Sequence, residues 1–243
     1  MTSAHKQAVY FLFTISLVLC FFAWSQVRDV KARWMNVPPI PAQTGAAAFA
    51  LGDLQFSYRS TGIMLQNLGD TGGMSTGLKA YDYDRLAQWF TLADWLDPHS
   101  DFIPYLAAYY FGAVEDPEKL RPLVDYLHDV GQRTEGHKWR WLAQAIYLKR
   151  YKMNDLPTAY DWAVEMASMD KPDMPAWTKQ MPAFIRSAQG DKQAAYDIMV
   201  EILRSDAATM DPAEVNFMKD YICTRTLDSA QLKDNPLCAD IKD

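Results

Sequence analysis

Apolar and polar positions follow the period of a helix along nearly the whole chain. From Ala46 to Asp70, the residues Leu51, Leu54, Tyr58, Leu65 and Leu68 recur at helical spacings. The stretch GDTGGMSTG interrupts this pattern. YDRLAQWFTLADWLDP then resumes the period until Pro98 stops it. Further helices are predicted near 101–114, 117–130, 138–152, 156–169, 176–188, 191–204 and 211–227. Strand-like alternation is nearly absent. The pattern therefore predicts an all-α fold of helical hairpins in series.

One segment has no polar face. AVYFLFTISLVLCFFAW, residues 8–24, carries no charge, and ten of its residues are Val, Ile, Leu or Phe. At roughly −0.3 to −0.6 kcal/mol each, they favour bilayer insertion by about 3 to 6 kcal/mol. Tyr10 and Trp24 fall where interfacial aromatics belong. A cleaved signal peptide is the competing reading, with small residues at Ala23 and Ser25, but the apolar run exceeds the usual ~7–15 residues. The bulky Leu19 just before Cys20 argues against a lipoprotein signal. A single-pass anchor is the expectation. The chain then divides into a tail and transmembrane helix over 1–25, a Pro-rich linker over 26–45, helical repeats over 46–206 and a helical cap over 207–243.

The repeats show as internal similarity. RWLAQAIYLKRYKMNDLPTAYDWAVEM, from Arg140, and AWTKQMPAFIRSAQGDKQAAYDIMVEI, from Ala176, agree at nine of 27 positions when shifted by 36. The matches include Trp141 with Trp177, Gln144 with Gln180, Asp155 with Asp191, and Ala159-Tyr160-Asp161 with Ala195-Tyr196-Asp197. Two helices per period of this length suit a solenoid. The pattern resembles the tetratricopeptide repeat. Ala159 and Ala195 match its small second-helix residue, and Phe90, Ala93 and Pro98 match the aromatic, small and terminating-proline positions of an earlier unit. The similarity runs from about Leu86 to Ser205, and the first-helix glycine is missing in most units. It implies a repeat scaffold, and the layout as a whole resembles membrane-anchored repeat proteins of the bacterial envelope.

Composition narrows the function classes. The net charge of −6 leaves no electrostatic footprint for nucleic acid, and 11 glycines are few for a sandwich of strands. Outside the apolar segment only Cys223 and Cys238 remain. They are a candidate disulfide in an oxidising compartment, worth about 3 kcal/mol, or else two buried thiols. Basic residues oppose export, since Lys6 precedes the apolar segment while Arg28, Lys31 and Arg33 follow it. The expected location is the bacterial inner membrane, with the soluble domain on the periplasmic side favoured over the cytoplasmic.

Candidate chemistry is sparse. Asp70-Thr71-Gly72 has the composition of an aspartic-protease triplet, but it lies between helical periods and has no second copy. GGMSTG lacks the preceding strand and the Lys-Ser or Lys-Thr of a phosphate loop. Gly72 and Gly73 read instead as the positive-φ end of a helix. The histidines His5, His99, His128 and His137 have no i, i+4 partner, so neither metal nor cofactor is expected. His128-Asp129 reads as a solvated helix edge.

What remains is binding. In the tetratricopeptide register Trp141, Gln144, Leu148 and Tyr151 face the concave groove from one unit, and Trp177, Gln180 and Phe184 from the next. Aromatic rings beside an amide suit a peptide or helix, unless the tryptophans simply pack between units. The expectation is a non-catalytic scaffold for protein or peptide partners at the membrane, with a membrane complex as one such partner. A helical envelope enzyme or accessory subunit is the alternative.

Overall fold

The computed structural model describes residues 3–28, 37–71, 74–169, 171 and 173–239. The apolar segment is helical throughout, as α1, Ser3–Val27. At 1.5 Å per residue it is about 37 Å long, enough to cross a hydrocarbon core of roughly 30 Å. None of the apolar stretch from Val9 to Gln26 is buried within the protein.

Helices continue as α2 (Gln43–Phe49), α3 (Leu54–Gln66), α4 (Tyr83–Leu96), α5 (Phe102–Tyr105) and α6 (Pro117–Gly131). Then follow α7 (Trp139–Tyr151), α8 (Leu156–Ala167), α9 (Trp177–Ala188), α10 (Lys192–Asp206), α11 (Pro212–Tyr221) and α12 (Ser229–Asp234). The fold is all-helical, and the predicted helices from 101 onward match to within a few residues. α5 runs on into a π-helical turn, Leu106–Tyr110, and a 3₁₀ turn, Phe111–Ala113.

Aspartates set the helix starts. Asp53, Asp82, Asp116, Asp155, Asp191, Asp211 and Asp228 each accept a hydrogen bond from a backbone N–H of the turn that follows. Such a cap satisfies an orphan donor and is worth about 1 kcal/mol. Asp101 stands in the same place ahead of α5 but makes no cap bond. Its carboxylate is engaged elsewhere, as described below.

The first periodic run divides in two. Leu51 and Gly52 take positive φ, 53° and 89°, and Asp53 caps a new helix, so residues 46–70 form the α2–α3 hairpin and not one helix. α3 ends at Gln66, six residues before Gly72. The left-handed glycine behind it is Gly69, φ 83°, where an added Cβ would collide with the Tyr81 hydroxyl. Asp70–Thr71 then pairs antiparallel with Met74–Ser75 in a minimal hairpin. Gly72 and Gly73, read from sequence as the helix end, lie outside the described residues.

Helices from α3 onward pack mainly against their sequence neighbours: α3 on α4, α4 on α6, α6 on α7, and so on to α10. The core follows as three overlapping sections. One centres on Phe90, Phe111 and Leu127, the next on Leu142, Ala159 and Ile185, and the last on Ala195, Met199 and Ile222. Each helix thus covers the apolar stripe left by the one before. Ala159 and Ala195 are both fully buried at the contact between their helix and its predecessor. Gly131 closes α6 where an added methyl would overlap the Leu142 backbone, so only hydrogen lets α6 and α7 approach there.

Part of the Pro-rich linker is docked. Val37 is buried, its carbonyl accepts from Arg85 Nη1 at 3.2 Å, and the Pro38 carbonyl accepts from Trp89 Nε1 at 2.8 Å. The spacer therefore ends by residue 37.

Candidate binding groove

The groove begins with the irregular helix over 102–113. Its π-helical turn inserts a residue into the helical repeat, which brings both Tyr109 and Tyr110 to the surface while Phe111 is fully buried. Ala108 and Gly112 are buried along the floor between this segment and α7, with Ala107 buried beside them, so the two can pack closely here. A Cβ on Gly112 would lie 3.1 Å from the Ala107 carbonyl oxygen.

α7 supplies the opposite wall. Between the two lies a groove of about 290 Å³, lined by Tyr109, Gly112, Ala113, Gln144, Tyr147 and Lys152 among others. Tyr105 stacks obliquely on Tyr109 at 5.0 Å, and Tyr147 on Tyr151 at 4.8 Å. All four rings are about half exposed or more. Lys152 Nζ donates to the Ala113 carbonyl at 3.0 Å and ties the two walls together.

Around Trp141, on which Tyr109 rests, is a polar anchor. Asp101 Oδ1 accepts from Trp141 Nε1 at 2.8 Å and from Lys138 Nζ at 3.1 Å. Lys138 is buried and also donates to the Ser100 carbonyl at 2.7 Å. Partial burial would raise the Asp101 carboxyl, but the hydrogen bonds from Trp141 and Lys138 outweigh it and hold the carboxyl below its ordinary value. Asp101 does not cap α5: its own backbone is already helical, and the Phe102 N–H donates to Ser100 Oγ at 3.2 Å.

The seven predicted groove residues do not form one surface. Gln144 and Tyr151 lie on the accessible face of α7, and Leu148 lines the groove floor while almost fully buried. Trp141 is buried, with Tyr109 edge-on above it at 6.5 Å, so its ring is packing and support. On α9, Trp177 meets Trp139 at 5.9 Å and Phe184 meets Tyr221 at 5.1 Å. Gln180 is fully buried; its Nε2 donates to Glu214 at 3.3 Å and its Oε1 has no partner. The tetratricopeptide register missed Tyr147 and Tyr109. Tyr147 is detectable at i+3 from Gln144, but Tyr109 is brought into place by the π-helical turn, which has no sequence period.

Two other sites bear on chemistry. A cleft of about 670 Å³ beside α4 carries Asp94 at its floor, faced by Arg133. Burial holds the Asp94 carboxyl above its ordinary value, although Arg133 beside it pulls the other way. His128 is not the solvated edge its sequence suggested. It stacks on Trp162 at 4.2 Å and bonds Glu165 at 2.7 Å, joining α6 to α8. Among the described residues no group of His, Cys, Asp or Glu is arranged to hold a metal.

At the carboxyl end Cys223 and Cys238 are joined in a disulfide, with Cα atoms 5.8 Å apart. It ties the end of the α11 helical run to the 3₁₀ turn Pro236–Cys238. Compared with known proteins, the chain matches no family model, no curated protein and no solved structure.

Proposed function

We propose that this chain is a membrane-anchored helical-repeat scaffold that holds a protein or peptide partner in the groove between Tyr109 and Tyr147, without turnover. The carrying observation is the groove itself: exposed tyrosines on both walls, and a floor of small residues. Tyrosine offers a large, rigid contact area with a polar tip and loses little rotamer freedom on binding. Gln144 on the wall can hydrogen-bond a peptide backbone.

A tetratricopeptide-like solenoid is the architecture this reading assigns to the hairpins. Its support is the packing of each helix on its sequence neighbours and the repeated aspartate caps and buried alanines 36 residues apart. α1 then serves as the anchor, placing the groove at the bacterial inner membrane. The disulfide favours the periplasmic side, because such a bond persists in an oxidising compartment. The basic residues Arg28, Lys31 and Arg33 weigh the other way.

Two measurements on the native chain test this reading. Carbonate-washed membranes retain the intact protein, whereas a soluble product beginning near Gln26 would make α1 a leader. A photo-crosslinking residue at Tyr147 traps a discrete partner; one at Arg121, exposed on α6, does not. Equal trapping at both positions would remove the groove from the account.

A further inference from the structure

We propose that the tip of the α2–α3 hairpin seats in the lipid interface of the membrane that α1 crosses. The proposal rests on reading α1 as an anchor and is otherwise independent of the tyrosine groove.

The tip is apolar and faces outward. Phe49 is 71% exposed, Leu51 98%, Leu54 40% and Phe56 55%. These residues follow one another around a single turn, closed by the Gly52 N–H on the Ala47 carbonyl and the Asp53 N–H on the Ala50 carbonyl, both at 2.9 Å. Leu51 has φ 53°, a region that a side chain bearing a Cβ adopts only at a cost. The turn thus holds a leucine in an unfavourable backbone conformation and directs it away from the protein's own core. Exposed apolar clusters of this kind mark contact surfaces, and backbone strain collects where function requires it.

Charge selects the occupant. From Gly45 to Ser57 the single charged side chain is Asp53, whose carboxylate is engaged by the Phe56 N–H at 3.0 Å. No lysine or arginine on the tip reaches for a phosphate, and a net charge of −6 gives no attraction to an anionic surface. The tip suits the boundary of headgroups and acyl chains, entered by apolar burial alone. The groove of about 500 Å³ between Phe49, Ala46, Thr61, Met64 and Trp89 extends the apolar surface along the same hairpin.

Chain length keeps the hairpin within reach of that boundary. α1 ends at Val27 and Val37 is fixed in the core, so the connection spans at most about 35 Å. α2 starts at Gln43, immediately after the docked segment. A short tether holds the tip near one bilayer.

The test uses the full chain in phosphatidylcholine vesicles. Cys20→Ser removes the free thiol, and an environment-sensitive fluorophore is placed at Leu51→Cys or, as reference, at the exposed Lys192→Cys. Doxyl-labelled lipid should quench the Leu51 probe at least about twofold more than the reference, with blue-shifted emission that persists in high salt. Vesicle flotation of the same samples reports the anchor. Flotation with an unquenched Leu51 probe overturns the tip proposal and leaves the anchor standing. A chain that neither floats nor shows quenching overturns both.

Discussion

Asn154 and Gly190, 36 residues apart, are both left-handed, with φ 53° and 85°, and each directly precedes an aspartate that caps the next helix. The internal repeat is therefore a repeat of backbone geometry as well as of residue identity. A turn that must pass through positive φ takes glycine in one unit and asparagine, the residue most tolerant of that region, in the other.

This equivalence predicts equivalent costs. Asp155→Ala and Asp191→Ala should each lower stability by about 1 kcal/mol. Ala159→Leu and Ala195→Leu should each cost ~1–3 kcal/mol by overpacking the fully buried contact. Urea unfolding of the four variants checks this. A cap or alanine that proves neutral in one unit and costly in the other would break the equivalence.

The Asp101 cluster predicts a pH dependence. Hydrogen bonds from Trp141 and Lys138 depress its folded-state carboxyl below the ordinary 3.8. Its contribution is therefore present above that value and is lost as pH falls through the lower folded-state value. Asp101→Asn should lower stability at pH 7 by ~1–3 kcal/mol, because buried Lys138 loses its carboxylate partner. The gap between variant and parent should narrow at pH 3. An unchanged gap would mean that the carboxylate is not the stabilising group.

The disulfide closes a separation of 15 residues. By loop entropy it contributes about 3 kcal/mol, so Cys223→Ala/Cys238→Ala should lower the urea midpoint correspondingly. Alkylation under denaturing, non-reducing conditions should leave both cysteines unlabelled in protein taken from the membrane. Labelling of both would count against the proposed periplasmic side.

Helix positions were legible in the sequence because the apolar period, broken by prolines and turn residues, is a local signal. The long apolar helix α1 was legible through one unbroken apolar run. The groove was only partly so. Periodicity placed α7 correctly but assigned Trp141 and Leu148 to the accessible stripe, whereas both are buried beneath it. Which side of a helix is covered depends on the neighbouring helix. That neighbour contains a π-helical turn at Leu106–Tyr110 which shifts its facing residues. The α2–α3 break was missed because Leu51 and Asp53 do not differ in pattern from a continuing helix.

The central claim is that Tyr147 and Tyr109 bind while Trp141 supports them. It is tested most directly by extracting full-length protein in mild detergent and measuring the affinity for its co-purified partner. Tyr147→Ala and Tyr109→Ala should each weaken capture about tenfold or more with unfolding unchanged. Trp141→Ala should instead cost ~3–5 kcal/mol of stability, and Arg121→Ala, exposed on α6, should change neither. Full partner affinity in both tyrosine variants would contradict the account.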